Sequence, residues 1–199
     1  MRRVFIIAGF NMNQSAADPK YQALREAIKS KGYEVIPFSK HWNHKTVSEY
    51  TKEFIKFYSD NKSTGGENIV IGNSHGAMVA FLSAPIIRPN KIIVCSLSAY
   101  FKEDMHKQKQ SYMIRRFGKL RTADSHVISA DETAQEINKT QVDVVFMRGE
   151  RENWGRFIKL SERVEQSVKA VKRSKLVVVP NCPHSFRAPE YIDGITAEL

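Results

Sequence analysis

Five consecutive residues, Gly72-Asn73-Ser74-His75-Gly76, have the types that acyl transfer at a serine requires. They follow the apolar run Asn68–Ile71 and precede the small-residue stretch Ala77–Leu82. A strand, a sharp turn and a helix in that order hold a serine hydroxyl out at a strained corner. Glycines on either side remove the Cβ atoms that would collide where strand and helix nearly meet. The helix N-terminus favours the negative charge that develops beside it. A serine hydroxyl is a poor nucleophile near neutral pH and needs a base to take its proton. Of the six histidines, His184 stands just beyond the last apolar run, in Asn181-Cys182-Pro183-His184-Ser185-Phe186. In a parallel sheet that position shares an edge with the serine. His75 is expected to point away from its neighbour. His41 and His44 are rim residues with no evident third metal ligand, and His106 and His126 fall in the least regular part of the chain. A carboxylate must then fix the imidazole tautomer. Arg148-Gly149-Glu150-Arg151-Glu152-Asn153-Trp154 follows the fifth apolar run and sets both Glu150 and Glu152 at the correct edge, whereas Asp143 lies at the wrong end of its run.

The elements that must position these groups alternate along the chain. Short apolar runs at Val4–Ala8, Tyr33–Pro37, Asn68–Ile71, Lys91–Leu97, Val142–Met147 and Lys175–Val179 are separated by amphipathic stretches. Asp18-Pro19 predicts a helix start and Gly32 its end. Thr46-Val47-Ser48-Glu49 and Ser129-Ala130-Asp131-Glu132 have the capping-box pattern. Pro85 and Pro89 predict the end of the helix that follows Ser74. Further helices are expected over Arg156–Lys172 and Pro189–Glu198. Runs made of Val, Ile and Leu are buried on both faces, which points to a parallel sheet between helix layers. The expected fold is α/β: a three-layer αβα, doubly wound, mostly parallel sheet of about six strands, with its ligand site at the carboxyl ends of the strands.

The 199 residues fit a single domain over 1–199. With 42% hydrophobic and 26% charged residues the composition is that of a globular chain. No apolar run approaches the roughly 18–20 residues of a membrane span. The apolar N-terminal stretch is too short for a signal peptide core and is cut off by Asn11, Asn13 and Gln14. With two cysteines that lack metal-ligand spacing, it points to a cytoplasmic protein with buried thiols. The net charge is +10, but the lysines and arginines are spread along the chain. That dispersion argues against nucleic acid as a partner and leaves a weak leaning toward an anionic substrate.

With these motifs in hand, the sequence resembles the α/β-hydrolase superfamily over essentially its whole length, in particular its small esterase-like members with little or no lid. The order serine, acid, histidine matches that family. The resemblance implies a minimal α/β-hydrolase fold without the N-terminal strand pair of larger members. It implies a triad of Ser74, His184 and an acid. Family members carry Gly-x-x-Asp after the acid-bearing strand, and Gly149-Glu150-Arg151-Glu152 puts Glu152 at the aspartate position. The other candidates are Glu150 and, after the fourth strand, Glu103 or Asp104. The oxyanion donors it implies are the amides of His75 and Phe10, with Ala8-Gly9-Phe10-Asn11 in place of the usual His-Gly. Asn11 and Trp154 are the expected substrate contacts. No cofactor or metal is implied, and the partner is a small-molecule acyl substrate. Residues 99–128 lie where lids are inserted and read equally as a small basic lid or a packed helix. The resulting expectation is hydrolysis of an ester, thioester or amide through an acyl-serine. The competing expectation is a non-catalytic binding protein on the same scaffold.

Overall fold

The computed structural model describes residues 1–9, 15–39, 45–105, 123–153 and 158–199. Six strands form one sheet: β1 (Arg3–Ile7), β2 (Glu34–Pro37), β3 (Asn68–Asn73), β4 (Lys91–Cys95), β5 (Asp143–Gly149) and β6 (Ser174–Val179). Their order is β2-β1-β3-β4-β5-β6, and every neighbouring pair is parallel. Among the described residues seven helices flank them: α1 (Gln22–Ser30), α2 (Val47–Asn61), α3 (His75–Ile87), α4 (Lys102–Met105), α5 (Ala130–Ile137), α6 (Ile158–Ala170) and α7 (Pro189–Ala197).

Successive strand residues point to opposite faces, so each apolar strand feeds two cores. Phe5, Val70, Ile92, Val94, Val144 and Phe146 pack with α2, α3 and α5. Val4, Ile6, Ile69, Ile71, Ile93, Val145 and Met147 pack with α1 and α7. That is the expected three-layer sandwich, and it explains why the strands read as unbroken Val and Ile. The order 2-1-3 also creates a switch point between β1 and β3, and such points are where open α/β sheets bind ligands.

Local signals explain most of the boundaries. At the start of α2, Thr46 Oγ1 accepts from the Glu49 amide at 3.1 Å and Glu49 Oε2 accepts from the Thr46 amide at 2.8 Å, a complete capping box. Thr46→Ala should therefore cost about 1 kcal/mol, read as a lower denaturation midpoint at unchanged slope. At α5 only half of the box forms. Ser129 caps Glu132 at 3.1 Å, while the Glu132 carboxylate turns to Lys102.

Two expectations need correction. Asp18 does not cap a helix with its side chain; Oδ2 accepts from Ser15 instead, and Pro19 opens a single 3₁₀ turn, Pro19–Tyr21, ahead of α1. Pro85 does not end α3, which runs on to Ile87 and stops at Arg88, in the left-handed region at φ 45°, just before Pro89. Nearly all of α3 from His75 to Ala84 is buried. Packing on that scale outweighs the one hydrogen bond and the local clash that a proline costs near a helix end.

Candidate active site

Asn73, Cys95 and Met147 are aligned across β3, β4 and β5. The next residues of β3 and β4, Ser74 and Ser96, therefore leave the sheet side by side at its carboxyl edge, while β5 runs on against β6 to Gly149. Ser74 occupies φ 55°, ψ −114°, outside the regions that side-chain-bearing residues ordinarily adopt. Its amide donates to the Cys95 carbonyl at 2.9 Å, and its own carbonyl accepts from Ala77 at 3.1 Å as α3 begins. The flanking glycines make the corner feasible. A Cβ on Gly72 would lie 2.3 Å from the Gly76 carbonyl oxygen, and one on Gly76 would lie 2.4 Å from that of Ile7. Strand β3, helix α3 and strand β1 thus cross at backbone contact. Ser74 stands at the helix N-cap with the His75 amide as the first of the helix, among the N–H groups that have no acceptor within it.

The structure brings Glu152 and His184 together. Glu152 lies in a 3₁₀ turn, Glu150–Asn153, directly after β5 and is fully buried. Its Oε2 faces His184 Nδ1 at 3.3 Å, outside hydrogen-bond geometry. Its Oε1 accepts from Ser96 Oγ at 2.6 Å and from the Gly149 amide at 2.9 Å. The two loops are stitched together along their backbones. The Arg151 amide donates to the Cys182 carbonyl at 3.1 Å, and a Cβ on Gly149 would come within 2.3 Å of that same oxygen.

The other candidate acids are occupied elsewhere. Glu150 Oε2 accepts from the Asn181 amide at 2.8 Å, holding the His184 loop at a residue with φ 53°. Glu103 binds the Ser129 hydroxyl and the amides of Ala130 and Asp131 at the start of α5. Asp104 is locked to Arg163 on α6, with contacts of 2.6, 3.0 and 3.1 Å.

Among the described residues, the Ser74 hydroxyl has Ser98 Oγ as its hydrogen-bond partner, at 3.1 Å. Ser98 is buried, and its Oγ lies 3.5 Å from His75 Nδ1. His75 is buried too, with its ring against Tyr100 at 5.0 Å. It is linked to the Ser74 hydroxyl through Ser98. Phe10, Asn11 and Trp154, and residues 106–122 of the lid candidate, lie outside the described residues. Cys95 and Cys182 are free, and burial raises both thiols above their ordinary range, so neither is an activated nucleophile. Among the described residues no three His, Cys, Asp or Glu side chains are grouped to hold a metal ion, and no helix is long and apolar enough to cross a membrane.

Sequence reasoning missed three members of this cluster: Ser96, Ser98 and Tyr191. Tyr191, on α7, places its hydroxyl 2.8 Å from Ser96 Oγ and 3.1 Å from the Met147 carbonyl.

No protein-family model and no curated protein matches the sequence. Solved structures do match it in three dimensions. Est1E from Butyrivibrio proteoclasticus superposes with a TM-score of 0.75 at 15% identity, covering 99% of this chain and 84% of its own. An esterase of Pyrococcus furiosus gives 0.67 at 16%, covering 99% and 78%. Mouse alpha/beta hydrolase domain-containing protein 10 gives 0.65 at 15%, covering 98% and 87%. The chain has the α/β-hydrolase fold, in a small form.

Proposed function

We propose that the protein is a serine hydrolase that cleaves an ester, thioester or amide through an acyl-serine intermediate. One observation carries the reading: a fully buried glutamate aimed at a histidine ring nitrogen, on the sheet edge where a serine stands in a strained strand-to-helix corner. Neither a fully buried carboxylate nor a strained serine is cheap to maintain, and a triad gives both a purpose. The fold's neighbours add support, since one structure of Est1E has ferulic acid bound and another neighbour is a thioesterase domain from the curacin biosynthetic pathway.

In this reading Ser74 Oγ attacks the acyl carbon while His184 Nε2 takes its proton. Glu152 keeps the remaining proton on Nδ1 and offsets the imidazolium charge. The tetrahedral oxyanion is held by the His75 amide at the start of α3 and by the Phe10 amide after β1. His184 then gives its proton to the leaving group, the C–O, C–S or C–N bond breaks, and water repeats the sequence to release the acid. Asn11 and Trp154 are the proposed substrate contacts. The Ser74 hydroxyl, which meets Ser98 here, has to meet His184 for this step, and such contacts commonly tighten only with substrate present.

The test is a fluorophosphonate probe and a short-chain p-nitrophenyl ester on the purified protein, beside Ser74→Ala. Labelling and turnover in the native protein, both lost in the variant, are expected. A folded native protein that ignores the probe would turn the reading toward a binding protein built on a hydrolase scaffold.

A further inference from the structure

Glu152 ends a hydrogen-bond chain that starts in the C-terminal helix. Tyr191 OH meets both the Met147 carbonyl and Ser96 Oγ, and Ser96 Oγ meets Glu152 Oε1. The hydrogens in this chain can be counted. With Glu152 ionised there are three oxygen–oxygen contacts but only two hydroxyl hydrogens. The shortest contact, 2.6 Å, is the one to a carboxylate, so the Ser96 hydrogen goes there. Ser96 Oγ can then only accept from Tyr191. The single Tyr191 hydrogen is shared between Ser96 at 2.8 Å and the Met147 carbonyl at 3.1 Å. Burial raises the Tyr191 phenol well above its ordinary range and keeps that hydrogen in place.

The direction of these bonds has a consequence at the acid. The ionised carboxylate can only accept, so Ser96 donates to it while Tyr191 supports Ser96 from behind, and Ser96 together with the Gly149 amide holds Oε1 as an acceptor. The other oxygen, Oε2, is the one left to face His184. One carboxylate oxygen is fixed twice so that the second has a single orientation. Ser96 also stands at φ 54°, where a glycine would be less strained. The side chain, not the backbone, is what suits serine to this position.

We infer that Ser96 and Tyr191 are positioning residues for the acid of the triad, setting which Glu152 oxygen meets His184. The inference rests on the proposed hydrolase reading. Its test uses the full chain with Ser96→Gly, Tyr191→Phe and the double variant, assayed on p-nitrophenyl acetate across pH with melting temperature followed in parallel. Ser96→Gly suits its left-handed backbone and is expected to fold. It should lower kcat about tenfold, the scale of one charge-assisted hydrogen bond, with KM within about twofold. Tyr191→Phe should cost roughly threefold, because Ser96 keeps its own hydrogen for Glu152 but loses the partner that directs it. The double variant should fall no further than Ser96→Gly, since both act through one chain. The acid limb of the kcat/KM profile should be displaced in Ser96→Gly, which a purely structural serine would not do. Folded variants with native kcat and pH profile, in a protein whose Ser74 takes the probe, would overturn the positioning role and leave the hydrolase standing. Independent, multiplying losses would also overturn it. A native protein that is not labelled at Ser74 would remove the hydrolase reading and this inference together.

Discussion

His184→Ala is expected to lower kcat by about 10⁴–10⁶-fold, and Ser74→Ala by the same amount, while the double variant loses no more than either alone. A serine hydroxyl without a base hardly attacks, and a base without the hydroxyl has nothing to activate. Glu152→Gln is the more informative change. Ser96 Oγ and the Gly149 amide both donate to Oε1, so the glutamine oxygen must take that position and its NH₂ group must face His184 Nδ1. A donor at that point forces the neutral imidazole to carry its hydrogen on Nε2, the nitrogen that has to accept the Ser74 proton. The loss should approach about 10⁴-fold although the side chain keeps its shape, and Glu152→Ala should be no worse. Steady-state rates on a p-nitrophenyl ester and probe-labelling rates measure all five. Multiplying losses for Ser74 and His184, or a Glu152→Gln variant more active than Glu152→Ala, would count against the triad.

Much of the scaffold is legible in the sequence, because each strand is a short Val- and Ile-rich run and each turn has its own chemistry. Ser74 is marked by glycines that the crossing of β3, α3 and β1 physically requires. His184 and the glutamates after β5 are found by position, as the residues next past an apolar run. The choice among the acids is different. Glu150, Glu103 and Asp104 are set apart from Glu152 by bonds to Asn181, Ser129 and Arg163 that come from other parts of the chain, and no local pattern announces them. Ser96, Ser98 and Tyr191 are equally silent. A serine past a strand end or a tyrosine in a terminal helix acquires meaning only when strand register and the packing of α7 bring it to Glu152 or Ser74. The proline in α3 misleads for a related reason, since the local rule is sound and burial overrides it.

The second large effect concerns stability. Asp104 and Arg163 form an ion pair whose side chains are only 7% and 2% exposed, and Asp104 Oδ2 also accepts from the Phe101 amide at 3.2 Å. Asp131, at 4.0 Å and well exposed, is too distant to replace Asp104. Removing Asp104 alone strands a guanidinium that is buried between α4 and α6. Asp104→Ala should therefore cost about 3–5 kcal/mol, against roughly 0–1 kcal/mol for an exposed pair. For a chain of this size that is a fall of about 10 °C in melting temperature. Replacing both partners, as Asp104→Leu with Arg163→Met, should recover most of the loss, because the desolvation cost of the two charges disappears with their attraction. Chemical denaturation of the two single variants and the pair tests this directly. A loss below about 1 kcal/mol for Asp104→Ala would mean that solvent reaches the guanidinium, and failure of the double variant to recover would mean that shape and not charge holds α4 on α6. The pair roots the segment that leaves β4 just past Ser98, yet it touches neither Ser74, Glu152 nor His184. Hydrolytic activity per folded molecule should consequently survive in Asp104→Ala at temperatures well below its melting point, separating the anchoring of the segment from the chemistry beside it.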